Sequence, residues 1–187
     1  MKIIRETLLG LYINFLMIIL LLASVFRGLL INNMGNWIQW LLLAAVVVSG
    51  IFNIAFGIKN IFNTWRLYKN NEYNSLRKYM KRLKLGAVPY FILNFALYFF
   101  LFTIFFAASR GIFIVTPIPL FFLIPIFFTY LTVLFTSCYG IGFAAILNKE
   151  KNLGSGKMLI HVLLQICFVL DILSTIILII KYKYESI

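Results

Sequence analysis

The chain has 187 residues, 63% of them hydrophobic, with seventeen Lys and Arg against five Asp and Glu and a formal net charge of +12. Soluble domains hold about 45–50% apolar residues, so this composition excludes a soluble globular fold. The basic residues flank the greasy runs, as the positive-inside rule requires, so the charge implies no nucleic-acid partner.

Runs of about 20 apolar residues have the length that crosses a bilayer as helix. Alternating segments of about ten residues, the mark of a β-barrel, do not occur. The expected fold is all-α: a polytopic transmembrane helix bundle of about five spans with a cytoplasmic amphipathic helix.

Residues 1–58 read as a first transmembrane hairpin. Its first span, residues 8–26, is uncharged and lies between Lys2, Arg5 and Glu6 on one side and Arg27 on the other. A polar turn at 32–36 follows. Trp37 and Trp40 open the second span, where paired tryptophans suit the headgroup layer.

Residues 59–85 form a basic connector with eight of the seventeen basic residues and one acid, Glu72. Asn70-Asn71 marks a turn. Beyond it Tyr73, Leu76, Met80 and Leu83 recur at helical spacing, while Arg77, Lys78, Lys81, Arg82 and Lys84 crowd the other positions. This pattern predicts an amphipathic helix on the membrane surface. Its cations are candidate contacts to anionic phospholipids, each gaining about 1 kcal/mol. A plain topology anchor is the blander reading.

Residues 86–187 read as a three-span half. The third span runs over 86–108 with Pro89 in its first turn. An uncharged run of 36 residues follows at 112–147. It is too long for one span and too short for two with a turn. Pro117 and Pro119 predict a non-helical approach to a fourth span starting near Leu120, which Pro125 kinks. The polar loop 148–157 contains GSGK, but Lys151 stands where a phosphate-binding loop needs Gly, and Met158 where it needs Ser or Thr. The fifth span is expected at 158–180. The charge bias places the N-terminus inside and, with five spans, the C-terminus outside. If 112–147 crosses twice, the C-terminus returns to the cytoplasm.

No paired carboxylates, Ser/His/Asp set or HExxH appear, so no catalytic residues and no enzymatic activity are expected. Cys138 and Cys167 sit in apolar segments without a CxxC, so no metal site or cofactor is expected. His161 reads as an interfacial side chain. Asp171 is the strongest candidate, ten residues before Lys181 and fourteen after Lys157. A carboxylate at such depth costs roughly 2.5–3.5 kcal/mol on insertion scales. It is expected to be neutral and to donate to Tyr98 or Thr136. Asn14, Asn53, Asn94 and Gln165 share a depth of ~9–15 Å by residue count and form a candidate polar layer. Such a layer either glues helices or lines a cavity.

Residues 76–95, LRKYMKRLKLGAVPYFILNF, with the preceding RLYKNNEYNS, resemble a family of small bacterial membrane proteins of unknown function. The resemblance implies a bacterial inner-membrane location and brings no activity. Three functional readings remain. The first is a non-enzymatic membrane module or accessory subunit acting through a membrane-protein partner, self-association or the lipid phase. The second is a small oligomeric transporter or channel using Asp171 and the Asn/Gln layer. An intramembrane enzyme ranks last.

Overall fold

A computed structural model describes residues 1–31, 37–116, 118–150, 153–167 and 170–182. Among these residues six α-helices follow in order: α1 Lys2–Ile31, α2 Trp37–Lys69, α3 Tyr73–Ala108, α4 Ile118–Lys149, α5 Ser155–Ile166 and α6 Leu170–Lys181. A short 3-10 helix, Ile112–Val115, precedes α4. The fold is a helical bundle, and among the described residues α1 to α4 are long and apolar enough to cross a membrane. The helices divide into two compact units, Met1–Lys59 and Asn60–Ile187.

The first unit is an antiparallel pair. Asn14 Nδ2 donates to Val46 O at 3.1 Å and to Ser49 Oγ at 2.7 Å. Gln39 Nε2 reaches Ser24 O at 3.5 Å, so partners step in opposite directions along α1 and α2. Gly10 permits this approach, since a Cβ there would collide with Asn53 Oδ1.

In the second unit the connector departs from expectation. There is no separate surface helix. α3 runs unbroken for 36 residues, ~54 Å, and takes in both the basic stretch and the third span. Pro89 therefore lies inside it, on an exposed face. The stripe Tyr73, Leu76, Met80 and Leu83 is 0–8% exposed, so it packs in protein and not on lipid. The reason is the length of α4, whose last three turns run beside it. Tyr73 meets Phe143 at a ring distance of 4.9 Å, and Tyr79 meets Tyr139 edge-on at 5.6 Å. Leu67, Ile146, Leu147 and Leu153 complete this core. Lys149 closes its end by donating to Asn71 Oδ1 at 2.7 Å, and Asn71 makes the turn with a φ of 56°. Beyond the basic stretch, α3 and α4 turn large apolar side chains outward, among them Phe95, Phe99, Phe100 and Phe127. That is the surface a lipid phase accepts.

Residues 112–147 hold one long helix, not two, and Pro125 lies inside it; Pro117 lies outside the described residues. The turn into this stretch uses Arg110 and Gly111 at φ of 51° and 84°.

The expected fifth span is not one helix. It is divided into α5 and α6, each of 12 residues, or ~18 Å against a ~30 Å hydrocarbon core. The two fold back on each other. Asn148 of α4 reaches Ser155, at the start of α5, at 3.3 Å. Tyr73 Oη donates to Tyr182 O at 2.6 Å, and Arg77 donates to Ile179 O at 2.7 Å. Both open ends of the hairpin therefore lie at the connector end of α3 and α4. The pair therefore does not continue in one direction, as a single span over 158–180 would.

Candidate functional site

The site lies where the hairpin's tip meets α3 and α4. A break between two helices leaves carbonyls at the end of one and N–H groups at the start of the next without intrahelical partners. It also sets the negative end of one macrodipole beside the positive end of another. Here the side chains answer both. Asp171 sits in the first turn of α6, where a carboxylate suits the positive end of the helix. Lys84 of α3 forms an ion pair with Asp171, and the two side chains are each 2% exposed. Ser137 of α4 lies between them: its Oγ is 2.7 Å from Lys84 Nζ and 2.7 Å from Gln165 O, in the last turn of α5.

An ammonium has three N–H donors. Those of Lys84 meet Asp171 Oδ2, Ser137 Oγ and, at 3.3 Å, Thr136 Oγ1. Ser137 also lies 3.3 Å from Asp171 Oδ2. The cluster continues along the hairpin. Gln165 Nε2 donates to Thr175 Oγ1 at 3.0 Å and Ser174 Oγ at 3.4 Å, and His161 Nδ1 lies 3.0 Å from Ser174 Oγ. Gly140 makes room for Gln165, since a Cβ there would stand 2.5–2.7 Å from its amide atoms. Gln165 Oε1 itself is buried with no hydrogen-bond partner among the described residues. A second group lies nearer the connector turn: Asn63 donates to Tyr139 Oη at 2.9 Å, and Tyr139 donates to Asn60 Oδ1 at 3.1 Å.

The candidates from the sequence scatter accordingly. Asp171 faces a cation and not the neutral partners expected. Thr136 joins the cluster through Lys84. Tyr98 does not: it lies fourteen residues beyond Lys84, ~21 Å along α3. Of the proposed lipid contacts, Lys78, Lys81 and Arg82 are exposed. Lys84 is turned inward, and Arg77 gives one N–H to Ile179 O. The polar layer is not one layer within the second unit. Gln165 sits at the level of Lys84, whereas Asn94 donates to Thr129 at 2.8 Å, ten residues or ~15 Å further along α3. In the first unit, Asn14 binds α2 and Asn53 packs on Gly10.

Sequence reasoning missed Ser137, Ser174, Thr175 and the inward role of Lys84. One signal was available. Lys84 stands four residues after Met80 and eight after Leu76, which puts it on the apolar stripe and not on the basic face.

Four helices fit to cross a bilayer and an ion pair closed inside the bundle define a polytopic helical membrane protein. The chain belongs to the Family of unknown function (DUF6652), whose model matches residues 2–184. No curated protein and no solved structure matches it.

Proposed function

We propose that the chain is a non-enzymatic module of the bacterial inner membrane, acting through a membrane-protein partner or the lipid phase, with its N-terminus cytoplasmic. The observation that carries this reading is the closure of the Lys84–Asp171 cluster. All three ammonium N–H groups are taken by the chain's own oxygens, at 2% exposure. A group held this way fixes the hairpin to α3 and α4 and offers no proton or coordination position to a substrate. Among the described residues, Arg27 and Arg110 are the cations at the ends of α1 and α3 away from the connector, which supports the orientation. Lys78, Lys81 and Arg82, exposed at helical spacing on α3, suit the headgroups of anionic phospholipids.

A second reading, a small oligomeric transporter, has one specific observation in its favour. Asp171 lies at the start of a half-helix, the place where discontinuous helices present charges to ions. Purification of the tagged chain in mild detergent, followed by reconstitution, tests the two. The expected result is a stoichiometric partner or retained anionic phospholipid, and no ion flux. Flux through a homo-oligomer, abolished in a folded Asp171→Asn variant, would overturn the first reading.

A further inference from the structure

The outward face of the α5–α6 hairpin is inverted relative to a soluble protein. Its polar side chains, Gln165, Asp171, Ser174 and Thr175, are 0–1% exposed, whereas Leu159, Leu163, Leu173, Ile177 and Ile180 are 46–72% exposed. Between Lys157 and Lys181 the sequence has only His161 and Asp171 as acid or basic residues. Asp171 is buried, and His161 is turned to Ser174. Both lysines are exposed, one at the start of each open end of the hairpin. This is the distribution of a lipid-embedded element whose cations meet headgroups at its mouth.

We infer that α5 and α6 form a re-entrant hairpin, bathed in acyl chains, which enters the bilayer from the connector side and leaves by the same side. Three physical points carry it. Each leg of ~18 Å matches one leaflet of a ~30 Å core and not the whole of it. Non-helical backbone at membrane depth is tolerated only where protein seals it. Ser137 donates to Gln165 O at the end of α5, and Lys84 pairs with Asp171 at the start of α6. Finally, α3 at ~54 Å exceeds a bilayer of about 40–45 Å, so its basic end reaches the headgroup layer beside the hairpin's mouth. Lys78, Lys81 and Arg82 are exposed on α3 away from its buried stripe, and their long side chains reach headgroups while the hairpin's apolar face meets acyl chains. Tyr182 then lies on the same side as Asn71. This inference does not depend on whether the module acts through a partner, and its test is separate.

Cys167 is exposed at the end of α5, while Cys138 is buried, so the unaltered chain takes a nitroxide at the hairpin's tip. In liposomes the label should collide with oxygen more than with a water-soluble nickel chelate. Labels at Ile177→Cys and Leu173→Cys, with Cys167→Ser, should show depth increasing towards the tip. A membrane-impermeant maleimide should reach Tyr182→Cys and Asn71→Cys from one side. Equal or greater collision with the chelate would overturn the inference, as would dipolar broadening from a second copy on the face or labelling of Tyr182→Cys from the side opposite Asn71→Cys. Each variant is first checked for a monodisperse elution profile matching the parent; should Tyr182→Cys fail it, a C-terminal reporter fusion reads the same side.

Discussion

Replacing Lys84 by Met leaves Asp171 without its cation at a site where its side chain is 2% exposed. Replacing Asp171 by Leu leaves Lys84 with two hydroxyls and no counter-charge. Removing one partner of a buried pair costs about 3–5 kcal/mol, because the remaining charge stays desolvated. For a chain of this size, where 1 kcal/mol moves the midpoint by about 2–4 °C, each single variant should lose roughly 6–20 °C. An exposed pair would be worth about 0–1 kcal/mol and would lose a few degrees at most. The double variant Lys84→Met/Asp171→Leu removes both charges and should recover most of the loss, since apolar replacements of buried pairs are often neutral or stabilising. Asp171→Asn keeps the shape but still strands the ammonium, so it should fall with the singles. The assay is thermal unfolding in detergent, read as a double-mutant cycle. Singles within about 2 °C of the parent, or a double variant as unstable as the sum of the singles, would refute the claim that the pair is buried and coupled.

Gly140→Ala should cost about 1–3 kcal/mol by driving a Cβ into the Gln165 amide; combined with Gln165→Ala it should cost less than the two losses added, as measured by unfolding midpoints. Tyr139→Phe removes the hydroxyl shared by Asn60 and Asn63 and should lower stability by about 1–3 kcal/mol, with the fold retained by circular dichroism. Lys78 and Lys81 together changed to Gln should weaken retention of anionic phospholipid by about 2 kcal/mol, at about 1 kcal/mol per charge, with the fold retained by circular dichroism; retention unchanged in lipid analysis of the purified protein would show that these cations serve topology alone.

Composition determined the class of this protein and the four helices, α1 to α4, that are long and apolar enough to cross a bilayer. Apolar runs of bilayer length bounded by cations have one stable solution in lipid, a helix across it, whatever they pack against. The same logic misread residues 158–180, because hydropathy counts apolar residues and not the backbone break between them. It takes a partner surface to make that break affordable, and Lys84 of α3 and Ser137 of α4 supply it. The basic connector misled for a related reason. Its periodicity correctly separated an apolar from a charged face, but an amphipathic stripe suits a membrane surface and a protein core equally. Only the length of α4 beside α3 decided for the core. Asp171 was visible as an anomaly in the sequence, and its partner was not. The two residues stand 87 apart in the chain, and nothing local couples them. What joins them is the hairpin's return along α3, where burial makes an unpaired charge costly enough that each fixes the place of the other.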